Sequence, residues 1–211
     1  MKFRRVFSIV FVVAAIVILF TFPWYYEYLT GSRYRGLEAD SSMTVPRFRL
    51  RDLNGKEVRA EDLRGKYSYV FLGFSKCTGI CPRALGELYT FARRARSSPA
   101  VDFRIVFISI DPVRDRPAQL QRFFSGFGKR FLVLRDGTDK VGRVARRFGV
   151  YYSMPREAAV GGDYQINHPE LVYVLDRNAR PRLLYTRVRA EDLLKDWDVL
   201  RGADEQKLNI K

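Results

Sequence analysis

Cysteine and histidine are almost missing from this chain of 211 residues, which has two of the first and one of the second. A tetrahedral structural zinc site takes four such ligands, so this shortage excludes one. Acidic residues are outnumbered, 23 Asp and Glu against 38 Lys and Arg, for a net charge of +15. The sequence has no internal repeat and no low-complexity tract. What remains is globular in composition, 47% hydrophobic and 14% aromatic, and about 170 residues after Tyr34 suffice for one ordinary domain.

The excess of positive charge could point to nucleic acid. Its distribution argues otherwise, because the arginines are scattered and acidic residues are interspersed among them. The short basic runs ARRAR (92–96) and VARRF (144–148) read as solvated helix faces. An acidic partner face or membrane surface fits the charge better, and no nucleic-acid partner is expected.

One long apolar run is present. Val6 to Phe22 is interrupted only by Ser8 and Thr21, and Lys2, Arg4 and Arg5 precede it. As a helix it would span roughly 26 Å, close to a bilayer's hydrocarbon core. Pro23, Trp24, Tyr25 and Tyr26 follow. They resemble an interfacial aromatic belt more than a small-residue cleavage site. Residues 1–26 are therefore read as a retained transmembrane signal anchor. The positive-inside rule leaves the basic end in the cytoplasm and exports the rest. Residues 27–45 read as a linker, 46–202 as the folded domain and 203–211 as a charged tail.

Within the domain, Phe48 and Leu50 alternate with arginines and Asn54-Gly55 marks a hairpin turn. YSYVFLGFS (67–75) and DFRIVFISI (102–110) read as strands buried in a sheet interior. Helices are predicted over 82–96, 117–127 with Asp115 as its cap, and 138–148, with a short strand at 131–134. After an irregular stretch from Tyr151 to Gln165, a hairpin turns around Asp176–Pro181 and a helix covers 190–200. Buried strands alternating with helices, then a final hairpin, predict an α/β fold: a mixed sheet flanked by helices, with an N-terminal β-hairpin extension.

Both cysteines lie in GFSKCTGICPRALGEL (73–88), where the first buried strand meets its helix. A thioredoxin-like fold carries its chemistry at that junction. The loop between Cys77 and Cys81 is three residues long, so a disulfide there would remove little entropy from the unfolded chain. A redox couple or a pair of metal ligands are the readings left. The helix start, with its unpaired N–H groups and positive dipole end, predicts that one or both thiol pKa values are lowered. A lone histidine is more often structural than not. His168, however, stands at the mouth of the LVYVL strand, and with two thiolates it would complete a sulfur–sulfur–nitrogen donor set suited to copper.

Four segments in order resemble the Sco/SenC family of copper-delivery proteins: GFSKCTGICPRAL, ISIDPVRDRPAQL, RVARRFGVYYS and DYQINHPELVYVLDRNAR. The resemblance covers roughly residues 45–200. It implies a membrane-tethered thioredoxin-like fold and one copper ion per chain, Cu(I) or Cu(II), held by Cys77, Cys81 and His168. It implies a partner in cytochrome c oxidase subunit II or a related copper protein, whose CuA centre is assembled, and an upstream copper donor. In the same family Cys77 and Cys81 can also serve as a redox couple that reduces the target's cysteines. Asp111 falls where the family carries an acidic residue near the metal, and it reads equally as a strand-end turn residue. Lys76 stands where many members have a histidine, which is not one of the three ligands.

Overall fold

Strand β4, Tyr67–Gly73, is buried along its whole length. A strand that is apolar on both faces has to be covered on both, and this one lies inside an eight-stranded mixed sheet. The computed structural model describes residues 17–22, 33–40, 47–155 and 163–209. The chain divides into two units, Met1–Arg33 and Tyr34–Lys211. In the first, residues 17–22 are helical and exposed. The remainder of the segment read as an anchor lies outside the described residues. Among the described residues, no helix is long and apolar enough to cross a membrane.

The second unit runs β1 (Leu37–Glu38), β2 (Arg49–Asp52), β3 (Glu57–Arg59), a 3₁₀ turn (Ala60–Leu63), β4, α1 (Ile80–Arg94), β5 (Phe103–Ser109), α2 (Pro117–Phe124), β6 (Phe131–Arg135), α3 (Thr138–Arg147), β7 (Val172–Leu175), β8 (Pro181–Tyr185) and α4 (Ala190–Asn209). The sheet order is β1-β8-β7-β4-β5-β6-β2-β3. β4, β5 and β6 are parallel, and the other pairings are antiparallel. β2 and β3 form the expected hairpin. Gly55 takes φ +84° at its turn, and Asp52 Oδ1 accepts the N–H groups of Asn54 and Lys56.

An aromatic stack binds one helical layer to the sheet: Tyr69 to Phe91 (centroids 4.6 Å apart), Phe91 to Phe103 (4.7 Å) and Phe103 to Trp197 (5.0 Å). These rings join α1 and α4 to β4 and β5. Phe124 of α2 packs on Phe107 at 4.8 Å.

Three boundaries differ from expectation. The linker read over 27–45 contains folded chain. Tyr34 is buried, Leu37–Glu38 pairs with β8, and the buried Asp196 carboxylate accepts the N–H groups of Arg35 and Gly36. The residues 203–209 of the presumed tail belong to α4. They have no apolar periodicity, but Arg201 pairs with Glu205, and Asp204 accepts the Tyr67 hydroxyl at 2.9 Å. Helix α1 starts at Ile80, so Pro82 sits inside its first turn, where its missing N–H costs nothing.

Candidate metal centre

The C-terminal end of β4 delivers the chain to the cysteine loop. Cys77 is partly exposed on that loop, with its N–H bonded to the Phe74 carbonyl at 3.3 Å. Cys81 is the second residue of α1 and is buried. Gly73 makes room for its sulfur. A Cβ at that position would stand 2.9 Å from Cys81 Sγ and 3.1 and 3.2 Å from the rings of Phe71 and Phe107.

His168 arrives from the other side, on the segment before β7. It is buried against Phe71 and Phe74, with ring centroids 6.4 and 5.9 Å away. Its Nδ1 is 3.0 Å from the Pro169 carbonyl, which can only accept, so Nδ1 carries the hydrogen. The lone pair of Nε2 then faces Cys81 Sγ, 3.2 Å away. The donor atoms of Cys77, Cys81 and His168 all lie within 4.8 Å of one another. Ligands about 2.0–2.3 Å from one ion can stand up to about 4.6 Å apart, so a single ion fits with little movement. Both thiols are free. A cleft of about 340 Å³ opens between residues 77–80 and 165–168.

At Cys81 the electrostatics run against a lowered pKa. Burial pushes the Cys81 thiol pKa up, although the Phe74 N–H works the other way. Loss of water around the thiolate is the largest effect on this group. Burial also pulls the His168 pKa down, against the Pro169 carbonyl and Glu170, which favour the cation. The imidazole is thereby kept in the neutral, ligating form.

Asp111 is fully buried but stands outside the converging donor group. Its carboxylate accepts the Tyr164 hydroxyl at 2.7 Å and Arg114 Nε at 2.6 Å. Arg114 also donates to the Tyr164 carbonyl at 2.8 Å and lies 3.4 Å over that ring. Asp111 therefore anchors the histidine segment. Asp115 does not cap α2, whose N-cap is Arg116. It is buried and accepts hydrogen bonds from Ser75 and Ser109, which ties the cysteine loop to the end of β5.

The model of the family described as SCO1/SenC matches residues 37–196. The chain belongs to that family. It is similar to "Protein SCO2, mitochondrial" of Saccharomyces cerevisiae, 32% identical over 77% of this chain and 57% of the relative, and to yeast "Protein SCO1, mitochondrial", 34% identical over 61% and 44%. The chain thus spans about half the length of these two relatives. Among solved structures, yeast Sco1 with copper bound is 28% identical, covers 81% of this chain and 89% of its own, and superposes with a TM-score of 0.64. Bradyrhizobium japonicum ScoI with copper bound is 28% identical over 78% and 99%, with a TM-score of 0.62. The thioredoxin-like sheet of this SCO1/SenC member is that of its relatives.

Sequence reasoning missed Gly73, Arg114 and Tyr164. All three stood inside the segments quoted above, but their tasks are close approach and long-range bonding. Neither leaves a local pattern.

Proposed function

We propose that this chain binds one copper ion, Cu(I) or Cu(II), through Cys77, Cys81 and His168, and carries it as cargo to the CuA site of cytochrome c oxidase subunit II or a related copper protein. The observation that carries this reading is the convergence of three soft or borderline donors within 4.8 Å from positions 87 residues apart. Thiolates select Cu(I), and the imidazole suits either oxidation state. A three-coordinate ion facing the cleft leaves room for an incoming target thiolate to bind before a ligand of the chain departs. Residues 1–26 act as the membrane anchor in this reading. They hold the domain on the exported side of the cytoplasmic membrane, where an upstream donor loads it.

Copper titration of the reduced chain tests this, with Cys77→Ser and His168→Ala beside the wild type and Cu(II) EPR as readout. One tightly bound copper with sulfur and nitrogen ligation is expected. Unchanged binding by His168→Ala sinks the site.

A second reading rests on the difference in exposure between the two thiols, Cys77 partly exposed and Cys81 buried. As a reductase, the Cys77 thiolate would attack a target disulfide and release one target thiolate. Cys81 would then displace the other, leaving a Cys77–Cys81 disulfide and a reduced target. His168 would be dispensable for that reaction, and this separates the two readings.

A further inference from the structure

We propose that Gln165 is a positioning residue for the copper site, clipping the cysteine loop to the histidine segment; the proposal rests on the copper reading above. Gln165 Nε2 donates to the Lys76 carbonyl at 3.2 Å, and Gln165 Oε1 accepts the Thr78 N–H at 3.3 Å. These two backbone groups flank Cys77 on either side. One side-chain amide therefore holds both peptide planes that orient this ligand. Only one orientation of the amide satisfies both partners, because a carbonyl needs a donor and an N–H needs an acceptor.

The surroundings explain why the clip matters. Along 164–168 burial alternates: Tyr164, Ile166 and His168 are buried, while Gln165 and Asn167 are exposed. The buried residues seat the segment. Gln165 has no core packing to make and reaches sideways to the other loop. Of the three donors, Cys81 is fixed by α1, and His168 by burial and its bond to Pro169. Cys77 has the Phe74 carbonyl on its own N–H and, through its neighbours, Gln165. Without the clip, the loop containing Gly79 moves independently of His168, and the third donor loses its fixed place. Holding ligands in place before the ion arrives lowers the ordering cost of binding.

The test uses the full chain, reduced, as wild type, Gln165→Leu and Gln165→Glu. Leucine removes both bonds. Glutamate keeps the acceptor for Thr78 but sets a second acceptor against the Lys76 carbonyl. In metal-free protein, Thr78 amide exchange should accelerate at least about fivefold in Gln165→Leu and stay slow in Gln165→Glu. Cu(I) affinity, measured by competition with a chelator, should fall about tenfold in Gln165→Leu and by less in Gln165→Glu. The thiolate-to-copper absorption and EPR of the Cu(II) form should shift in Gln165→Leu, with the unfolding midpoint of the metal-free protein unmoved. Thr78 exchanging as a free amide in the wild type overturns the clip. Gln165→Leu with wild-type affinity and spectra overturns the positioning role. If the wild type binds no copper, the copper reading itself falls and positioning with it, while Thr78 exchange still reports separately on the clip.

Discussion

Cys81 Sγ and His168 Nε2 lie 3.2 Å apart although 87 residues separate them in the chain. Both are buried, one on the first turn of α1 and the other beside β7. Strand β4 separates neither of them from the other, since its C-terminal end feeds the cysteine loop and its flank pairs with β7.

Gly73→Ala puts a methyl 2.9 Å from Cys81 Sγ, with two phenylalanine rings blocking retreat. A loss of about 1–3 kcal/mol in stability is expected, as for other overpacked sites. Copper affinity should drop at least tenfold on chelator competition. Gly86→Ala is the control. Nothing lies within 4 Å of its Cβ, and it sits inside α1. It should stabilise by about 0.5–1 kcal/mol and leave copper binding alone.

Tyr164→Phe removes the hydroxyl that Asp111 accepts at 2.7 Å in a buried network. Leaving that carboxylate short of a donor should cost about 1–3 kcal/mol in denaturant unfolding. The EPR nitrogen coupling of the Cu(II) form should weaken, because the same segment carries His168. Retention of full nitrogen coupling would show that Tyr164 anchors only the fold.

Metal-free, reduced protein should lose stability at both ends of the pH scale. The Cys81 pKa is raised in the fold, so its thiol stays neutral while the unfolded chain ionises near the ordinary value. Stability from this group is full below that value, about 8.5–9, and falls above it at about 1.4 kcal/mol per pH unit. The His168 pKa is lowered, so the unfolded chain takes up a proton first and stability falls below about pH 6.5. Cys81→Ser should flatten the alkaline limb between about pH 9 and 10, before tyrosines such as Tyr67 and Tyr185, also raised, contribute. Thermal unfolding as a function of pH reads both limbs.

Asp196→Ala tests the scaffold apart from the site. Its carboxylate, 1% exposed, gathers the N–H groups of Arg35 and Gly36 and the Tyr185 hydroxyl. Losing all three bonds should cost about 2–4 kcal/mol and free β1, seen as faster exchange of the Ala39 amide, which donates to the Arg182 carbonyl. Copper affinity should stay within twofold of the wild type.

Much of this was legible along the chain. Buried strands show as continuous apolar runs and helices as a 3.6-residue period, because both signals are local. The Asn54-Gly55 turn is local chemistry too. Residues 34–38 and 203–209 carry no such local signal, for the opposite reason. What orders them is a carboxylate or hydroxyl more than a hundred residues away, Asp196 in one case and Tyr67 in the other.

Composition and spacing alone determined that two thiols stand at a strand–helix junction, too close together to staple a fold, with one imidazole in the whole chain to join them. Only the tertiary structure decided that the imidazole does join them, with its free nitrogen facing a sulfur. It also decided that burial raises the Cys81 thiol pKa, that Asp111 anchors the histidine segment, and that Gln165 reaches from that segment to the cysteine loop. The reason is physical. A helix dipole and a loop length belong to the local chain, whereas desolvation and hydrogen-bond partners depend on everything that packs around a group.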